Sequence, residues 1–287
     1  MKKISTMLLV ATLCAWTAMP EKAVGQQVVQ SSADGVMTER GGAPLEFTTL
    51  KATFGQSGFS VAYPVGPEAA VVDTIRAWEN ARLGATYSGS LADVGALFRH
   101  YATALTTIDE GYGESAQWSV VVSGENEGVA TLMSGAWYYG GGAHGVSTDV
   151  GATFRKVDGA QFGRALLSHF DALRPLVARG LRSYFGTATD REMLQCLQLD
   201  ALEPPTRVSQ IPAPETLPWV EGDSVVFQYL PYEIACYAAG APQARMSISE
   251  VWQWLPQAWR EVLRGGVGRV KESEDNAWCV GAMNVEE

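Results

Sequence analysis

The chain has 287 residues, of which 47% are hydrophobic and 18% are charged, and its formal net charge at pH 7 is −10. This length and hydrophobic content predict folded domains with cores of their own, and they exclude disorder over most of the chain. The acidic balance disfavours nucleic acid and anionic membranes as partners, whereas it would attract a cationic partner by long-range steering.

Residues 1–25 have the pattern of a cleaved secretory signal peptide. Two lysines precede an apolar run at residues 4–19, and small residues end the segment in the arrangement that signal peptidase recognises, which predicts cleavage before Gln26. Cys14 raises the alternative of a lipoprotein signal, but the bulky Leu13 before it disfavours one. No later stretch is apolar enough to span a bilayer. We therefore expect a periplasmic or secreted protein with no transmembrane segment after cleavage.

After a polar leader at residues 26–44, the chain predicts strands and two amphipathic helices. Alternating apolar residues predict strands at residues 47–54, 59–63, 118–122 and 129–139. Apolar residues at helical spacing predict helices at residues 67–83 and 90–108, between the second and third strands. Short turns join the first two strands and the last two, so we expect antiparallel neighbours there.

The second half continues the mixture of strands and helices. Alternation predicts strands at residues 146–156, 219–221, 225–230 and 245–248. Helical spacing predicts helices at residues 166–185, 189–199 and 249–265, the last of which passes Pro256. Thr189 and Glu192 have the spacing of a capping box. The predicted fold class is α+β, with antiparallel sheets packed with amphipathic helices.

Three cysteines, Cys196, Cys236 and Cys279, remain after the predicted cleavage. In an oxidising compartment the odd number indicates one disulfide and one leftover thiol, and all three pairings stay open. Cys236 and His144 would make a nucleophile and base in outline, but a disulfide or buried thiol is the expected state of a secreted cysteine. The sequence has no C-x-x-C pair, phosphate-binding loop or H-E-x-x-H motif, so we expect no metal and no cofactor.

Residues 137–145, W-Y-Y-G-G-G-A-H-G, combine three consecutive aromatics, four glycines and one of only three histidines in the chain. The pattern predicts a strand that ends in a tight loop and displays His144 beside a bare backbone. A histidine in that position could act as a general base. It could also fix the loop by a hydrogen bond, and this second role is favoured because no catalytic partner is visible in the sequence.

Glu233 is the second candidate, since it lies between Tyr232 and Ile234 in an otherwise apolar stretch. A buried carboxylate without partners would cost several kcal/mol, so we expect it to accept hydrogen bonds from the glycine-loop amides or from His144. A catalytic acid is the alternative role.

Three segments, in this order, resemble the C-terminal extracytoplasmic domain of RsiV-type anti-sigma factors, a domain of unknown function. They are W-Y-Y-G-G-G-A-H-G, then V-V-F-Q-Y-L-P-Y-E-I-A-C-Y-A-A-G at residues 225–240, and S-I-S-E-V-W-Q-W-L at residues 247–255. That family usually has Y-T-G-G-A-H-G and Y-E-I-A-P-Y in the first two. The earlier F-S-V-A-Y-P-V and the helix after it resemble the PdaC-like domain that often precedes it.

The resemblance implies an α+β extracytoplasmic domain and, in RsiV-type proteins, a receptor that binds lysozyme. Cys236 stands where the family has proline, which alters a loop of the implied recognition surface. A sigma-binding segment, an internal membrane helix and a deacetylase domain are not found in the sequence. Neither an anti-sigma role nor deacetylation is therefore expected.

We accordingly predict a PdaC-like subdomain at residues 45–140, an RsiV-like subdomain at residues 141–265 and a tail at residues 266–287. The expected function is that of a cell-envelope binding or sensor module that recognises a lysozyme-like protein or a glycan. The alternative is a hydrolase of envelope polysaccharide or peptidoglycan, with His144 and Glu233 as its catalytic candidates; binding is favoured over catalysis. The residues expected to bind the ligand are Tyr138, Tyr139, Gly141, Gly142, His144, Tyr232, Glu233 and Tyr237.

Overall fold

The structure is a computed structural model, and it describes residues 45–66, 69–109, 113–197 and 205–269. The predicted signal peptide, the leader, Cys14 and Cys279 lie outside these residues.

The described residues form strands and helices in two groups along the chain. The strands are β1 (Glu46–Phe54), β2 (Ser57–Val65), β3 (Glu114–Glu125), β4 (Val129–Gly140), β5 (Val146–Arg155), β6 (Trp219–Glu221), β7 (Ser224–Gln228), β8 (Gln243–Ser247) and β9 (Gly268–Arg269). The α-helices are α1 (Ala70–Arg82), α2 (Val94–Asp109), α3 (Arg164–Ser168), α4 (Phe170–Phe185), α5 (Asp190–Cys196), α6 (Ile248–Val251) and α7 (Gln257–Leu263). The α+β class predicted from the sequence is confirmed.

The first sheet has the strand order β1-β2-β3-β4-β5, and β9 adds a short pairing to β3. The predicted antiparallel pairs β1–β2 and β3–β4 are present, and β4 and β5 are antiparallel as well. In contrast to the antiparallel expectation, β2 and β3 run parallel, with Phe59 opposite Trp118. The reason is the connection between them, because a crossover through α1 and α2 returns the chain in its original direction.

Helices α1 and α2 cover one face of this sheet. The residues of that face are the alternate ones along each strand, and they form a buried cluster with the apolar stripes of the two helices. Phe59 packs edge-on against Phe98 and Tyr101, with ring centroids 5.4 and 6.0 Å apart. The two amphipathic helices are therefore buried through the faces that their spacing predicts.

The second sheet has the order β6-β7-β8 and is antiparallel throughout. Helix α4 lies on it so closely that a Cβ on Gly180 would come within 2.7 Å of the Ala244 Cα.

Two of the predicted helices are interrupted. His169 separates α3 from α4, and Pro256, which cannot continue a helix from the preceding residue, separates α7 from the turn after α6.

The second sheet meets the first on the face away from α1 and α2. The indole of the fully buried Trp219 lies on Gly151 of β5. Beside it, the hydroxyls of Thr131 and Thr153 lie 2.8 Å apart. Thr131 Oγ1 donates to the Val220 carbonyl, and the Val220 amide donates to Thr153 Oγ1 at 2.9 Å. Two hydroxyls thus satisfy the backbone of β6 where it crosses the larger sheet.

The subdomain boundary predicted after residue 140 falls in the turn between β4 and β5. These strands pair without interruption from Val129 opposite Arg155 to Tyr138 opposite Val146, so β5 is a strand of the first sheet. The predicted tail also begins inside the fold, because Val267 is buried and β9 pairs with β3.

Candidate functional site

The β4–β5 turn places the glycine-rich loop at the surface. Gly141 adopts a φ of 80°, which a residue with a side chain rarely tolerates. The Tyr139 hydroxyl donates to the Gly142 carbonyl at 2.9 Å, and His144 Nδ1 lies 3.0 Å from the Gly145 carbonyl oxygen. The exposed imidazole therefore contacts the backbone of its own loop.

The loop contacts the second landmark through stacked aromatic rings. The imidazole of His144 lies on the ring of Tyr237 with centroids 4.0 Å apart and planes 15° from parallel. Tyr237 stacks in turn on Tyr232, with centroids 5.6 Å apart. The Tyr237 hydroxyl also donates to the Gly145 carbonyl at 2.5 Å. We refer to His144, Tyr237 and Tyr232 as the aromatic column.

Tyr232 ends this column in an unusual backbone conformation. Its φ is 68°, and it is the one residue other than glycine with a positive φ among the residues that the structure describes. Its side chain is 45% exposed. A left-handed conformation costs a bulky residue on the order of 1 kcal/mol or more, and such strain is concentrated at functional sites. Tyr232 is therefore a strained aromatic residue displayed to solvent.

Glu233 binds backbone amides instead of the glycine loop. Its Oε2 accepts from the Leu230 amide at 2.7 Å and its Oε1 from the Glu215 amide at 2.8 Å. The expectation of a hydrogen-bonded carboxylate is confirmed, but neither donor is a glycine-loop amide or His144. Burial raises the pKa of Glu233, while the two amides oppose that rise. The carboxylate closes the turn that carries Tyr232.

The remaining predicted residues divide between two faces of the first sheet. Successive residues of a strand point to opposite faces, so Tyr138 points away from Tyr139 and packs against the core under α1 and α2. Burial and the neighbouring Glu114 carboxylate raise the pKa of Tyr138. The structure thus brings Tyr139, Gly142 and the aromatic column together and leaves Tyr138 on the other side.

The cysteines and carboxylates offer no further centre in this region. Cys236 is exposed and Cys196 is half-buried, and the two are not bonded to each other. Within the described ranges, no group of three or more His, Cys, Asp or Glu side chains is arranged to hold a metal ion. The pairings that involve Cys279 lie outside those ranges.

Trp137 is the residue of this region that the sequence analysis did not select. Its indole lies over Gly145, where a Cβ would come within 2.5 Å of Nε1 and 2.6 Å of Cε2. Its ring is nearly parallel to that of Tyr139, at 11° and with centroids 6.3 Å apart. The signal was present in the sequence, since aromatics two residues apart on a strand share one face.

This geometry can be compared with solved structures. A crystal structure of a DUF3298-family protein from Bacteroides fragilis matches 76% of this chain and 96% of that chain, with a TM-score of 0.56 and 16% identity. The chain has the fold of a DUF3298 protein. Another DUF3298-family structure, from Pseudomonas aeruginosa PAO1, matches 78% of this chain and 94% of that one, with a TM-score of 0.49 and 14% identity. No protein-family model and no curated protein matches the sequence.

DUF3298 proteins form an uncharacterised domain family. At this level of identity the likeness shows the fold alone. No family model supports an RsiV-type or PdaC-like assignment specifically, so both stay predictions. In the part of the chain that the structure covers, no helix has the length and apolar character needed to cross a bilayer.

Proposed function

We propose that this chain is an extracytoplasmic binding module of the cell envelope, and that the aromatic column contacts a protein partner. The observation that carries the proposal is Tyr232, a large aromatic residue that is 45% exposed and held at a φ of 68°. Strain of this kind persists only where the surrounding structure enforces it, here through Glu233 and the stacked Tyr237. Exposed tyrosines on loops supported by a rigid sheet are typical of recognition surfaces.

The charge of the chain favours a cationic partner. At pH 7 the formal net charge is −10, which would accelerate encounter with a positively charged protein. The resemblance to RsiV-type domains makes lysozyme the first such protein to test. Export with cleavage before Gln26 is part of the same proposal, and the intact mass of the secreted chain tests it.

The alternative of a hydrolase has less support from the site. A general acid and base pair must converge on one reacting bond. His144 instead stacks on Tyr237 and lies against the Gly145 carbonyl, while both oxygens of Glu233 accept backbone amides. The two side chains are thus engaged in holding two loops, and binding is the function that the geometry favours.

The experiment is a calorimetric titration of the mature chain with lysozyme. Tyr232→Gly removes the ring and relieves the backbone strain, so we expect at least about tenfold weaker binding. Its unfolding midpoint should be equal to or above that of the wild type, since glycine adopts a positive φ without steric cost. Weaker binding by a variant that is at least as stable as the wild type cannot result from unfolding, and it is the trade-off expected of a strained functional residue.

Val157→Ala is the matched control, because it shortens another exposed apolar side chain, 82% exposed, that the column does not include. It should bind as the wild type does. Absence of heat with the wild type at micromolar concentrations would remove lysozyme as the partner. Undiminished binding by Tyr232→Gly would remove the column as the surface.

A further inference from the structure

A pair of aromatic residues beside the column belongs to neither hydrophobic core. Trp137 and Tyr139 are half-buried, yet both are missing from the two clusters of packed apolar residues that stabilise the sheets. Their rings are 11° from parallel, and their centroids are 6.3 Å apart. The two rings are therefore nearly parallel and offset from each other on one face of the strand. We call this pair the aromatic platform.

Gly145 leaves room for the indole of the platform. Three neighbouring indole atoms of Trp137 would be 2.5 to 2.8 Å from a Cβ on Gly145, so the indole packs closely against the bare backbone of this residue. The parallel ring of Tyr139 is tied down by the hydrogen bond from its hydroxyl to Gly142. Both side chains thus lie on the face of the first sheet that points away from α1 and α2.

Polar side chains flank the platform on the same face of the sheet. Gln117 and Ser147 stand directly opposite Trp137 on its two neighbouring strands. The adjacent cross-strand row is polar as well and consists of Lys51, Ser60, Ser119, Gly135 and Asp149. At Gly135 a Cβ would come within 2.8 Å of Ser119 Oγ and 2.9 Å of the Asp149 carboxylate, so these two polar side chains lie over the bare backbone of Gly135.

We propose that this platform binds a neutral oligosaccharide, with pyranose rings stacked on Trp137 and Tyr139 and hydroxyl groups bonded to Gln117, Ser147 and Asp149. The C–H groups on one face of a pyranose carry partial positive charge and are attracted to the negative face of an aromatic ring. The spacing of the two rings is close to the length of one sugar unit. Amide, hydroxyl and carboxylate groups supply both the donors and the acceptors that sugar hydroxyls need.

The charge of the surface decides between classes of sugar. The Asp149 carboxylate and the net charge of −10 would repel an anionic polysaccharide, whereas a carboxylate readily accepts hydrogen bonds from neutral sugar hydroxyls. The proposal uses different residues from the aromatic column and does not depend on a protein partner. The two sites adjoin at the glycine loop, where Gly145 lies under Trp137 and its carbonyl accepts from Tyr237.

The experiment is a titration of the full mature chain with the tetramers of N-acetylglucosamine and of glucose, followed by calorimetry. We expect binding of at least one tetramer at millimolar concentrations or below. Trp137→Ala should weaken it at least about tenfold, the effect of losing one stacking contact together with its desolvated surface. Trp137→Phe keeps an aromatic face and should retain part of the affinity.

A second variant tests the same site and retains both aromatic residues. Gly145→Ala places a Cβ where the indole lies, so it should displace Trp137 and weaken sugar binding even when the fold is intact by circular dichroism. Tyr232→Gly should bind the sugar as the wild type does, which separates this site from the proposed protein surface. Failure of both tetramers to bind the wild type, or equal binding by Trp137→Ala, would overturn the proposal.

Discussion

Replacing Gly151 by alanine tests the packing that joins the two sheets. Gly151 lies in β5, and the indole of Trp219, which is fully buried, rests on its Cα. An alanine Cβ would come within 2.5 Å of Cε2 and 2.6 Å of Cγ of that indole. Ordinary carbon–carbon contacts are about 3.5 to 4.0 Å, so the ring must move by roughly 1 Å within a close-packed interior.

The magnitude follows from the cost of overpacking. Inserting one methyl group into a filled core destabilises by about 1 to 3 kcal/mol, and we expect Gly151→Ala to lie in that range. Gly142→Ala is the matched control, since no atom lies within 4 Å of its added Cβ and its φ is not positive. Both changes restrict the unfolded chain equally, which stabilises by about 0.4 to 1 kcal/mol, so their difference isolates the contact with Trp219.

Urea denaturation followed by fluorescence and circular dichroism measures that difference. Gly151→Ala should unfold at a lower urea concentration than Gly142→Ala with an unchanged slope, because the surface exposed on unfolding is the same. An equal midpoint for the two variants would refute the close approach of Trp219 to β5. It would also place the second sheet farther from the first than the structure does.

Three further predictions concern buried or half-buried polar groups. Burial raises the pKa of Glu79 well above its usual value, so the free energy of unfolding of the wild type falls as the pH rises from the usual carboxyl pKa to the pKa in the folded state. Glu79→Gln should remove this decrease, which is about 1.4 kcal/mol per pH unit between the two pKa values. A difference in urea midpoint between the variant and the wild type that does not change with pH would contradict the buried carboxyl. Glu233→Gln leaves one backbone amide facing a side-chain NH₂ and should lower the free energy of unfolding by about 1 to 3 kcal/mol, measured at pH 7. The Asn126 side chain donates to the Val262 and Gly266 carbonyls and accepts from the Gly128 and Val129 amides. Asn126→Asp keeps the acceptor and loses only the two donated bonds, so it should lower the thermal midpoint, and an unchanged midpoint would disprove those two bonds.

Local patterns in the sequence predict most of the elements. Strand alternation placed β1 to β8 within a few residues of their observed bounds, since the period of two reflects which face of each strand is buried. The capping box of Thr189 and Glu192 is present as predicted, because its hydrogen bonds join residues only three apart. The sequence also predicts the glycine loop, since glycine adopts the φ of 80° found at Gly141 without steric cost.

Interactions between distant segments were decided by the tertiary structure alone. The parallel pairing of β2 and β3 depends on how two helices cross the sheet, and the partners of Glu233 depend on where residues 215 and 230 meet. Periodicity carries no information about such contacts, because it reports each element's buried face and not what covers that face. For the same reason the sequence indicated His144 and Tyr237 as separate candidate residues in two segments, and only the tertiary structure shows that their rings stack on each other.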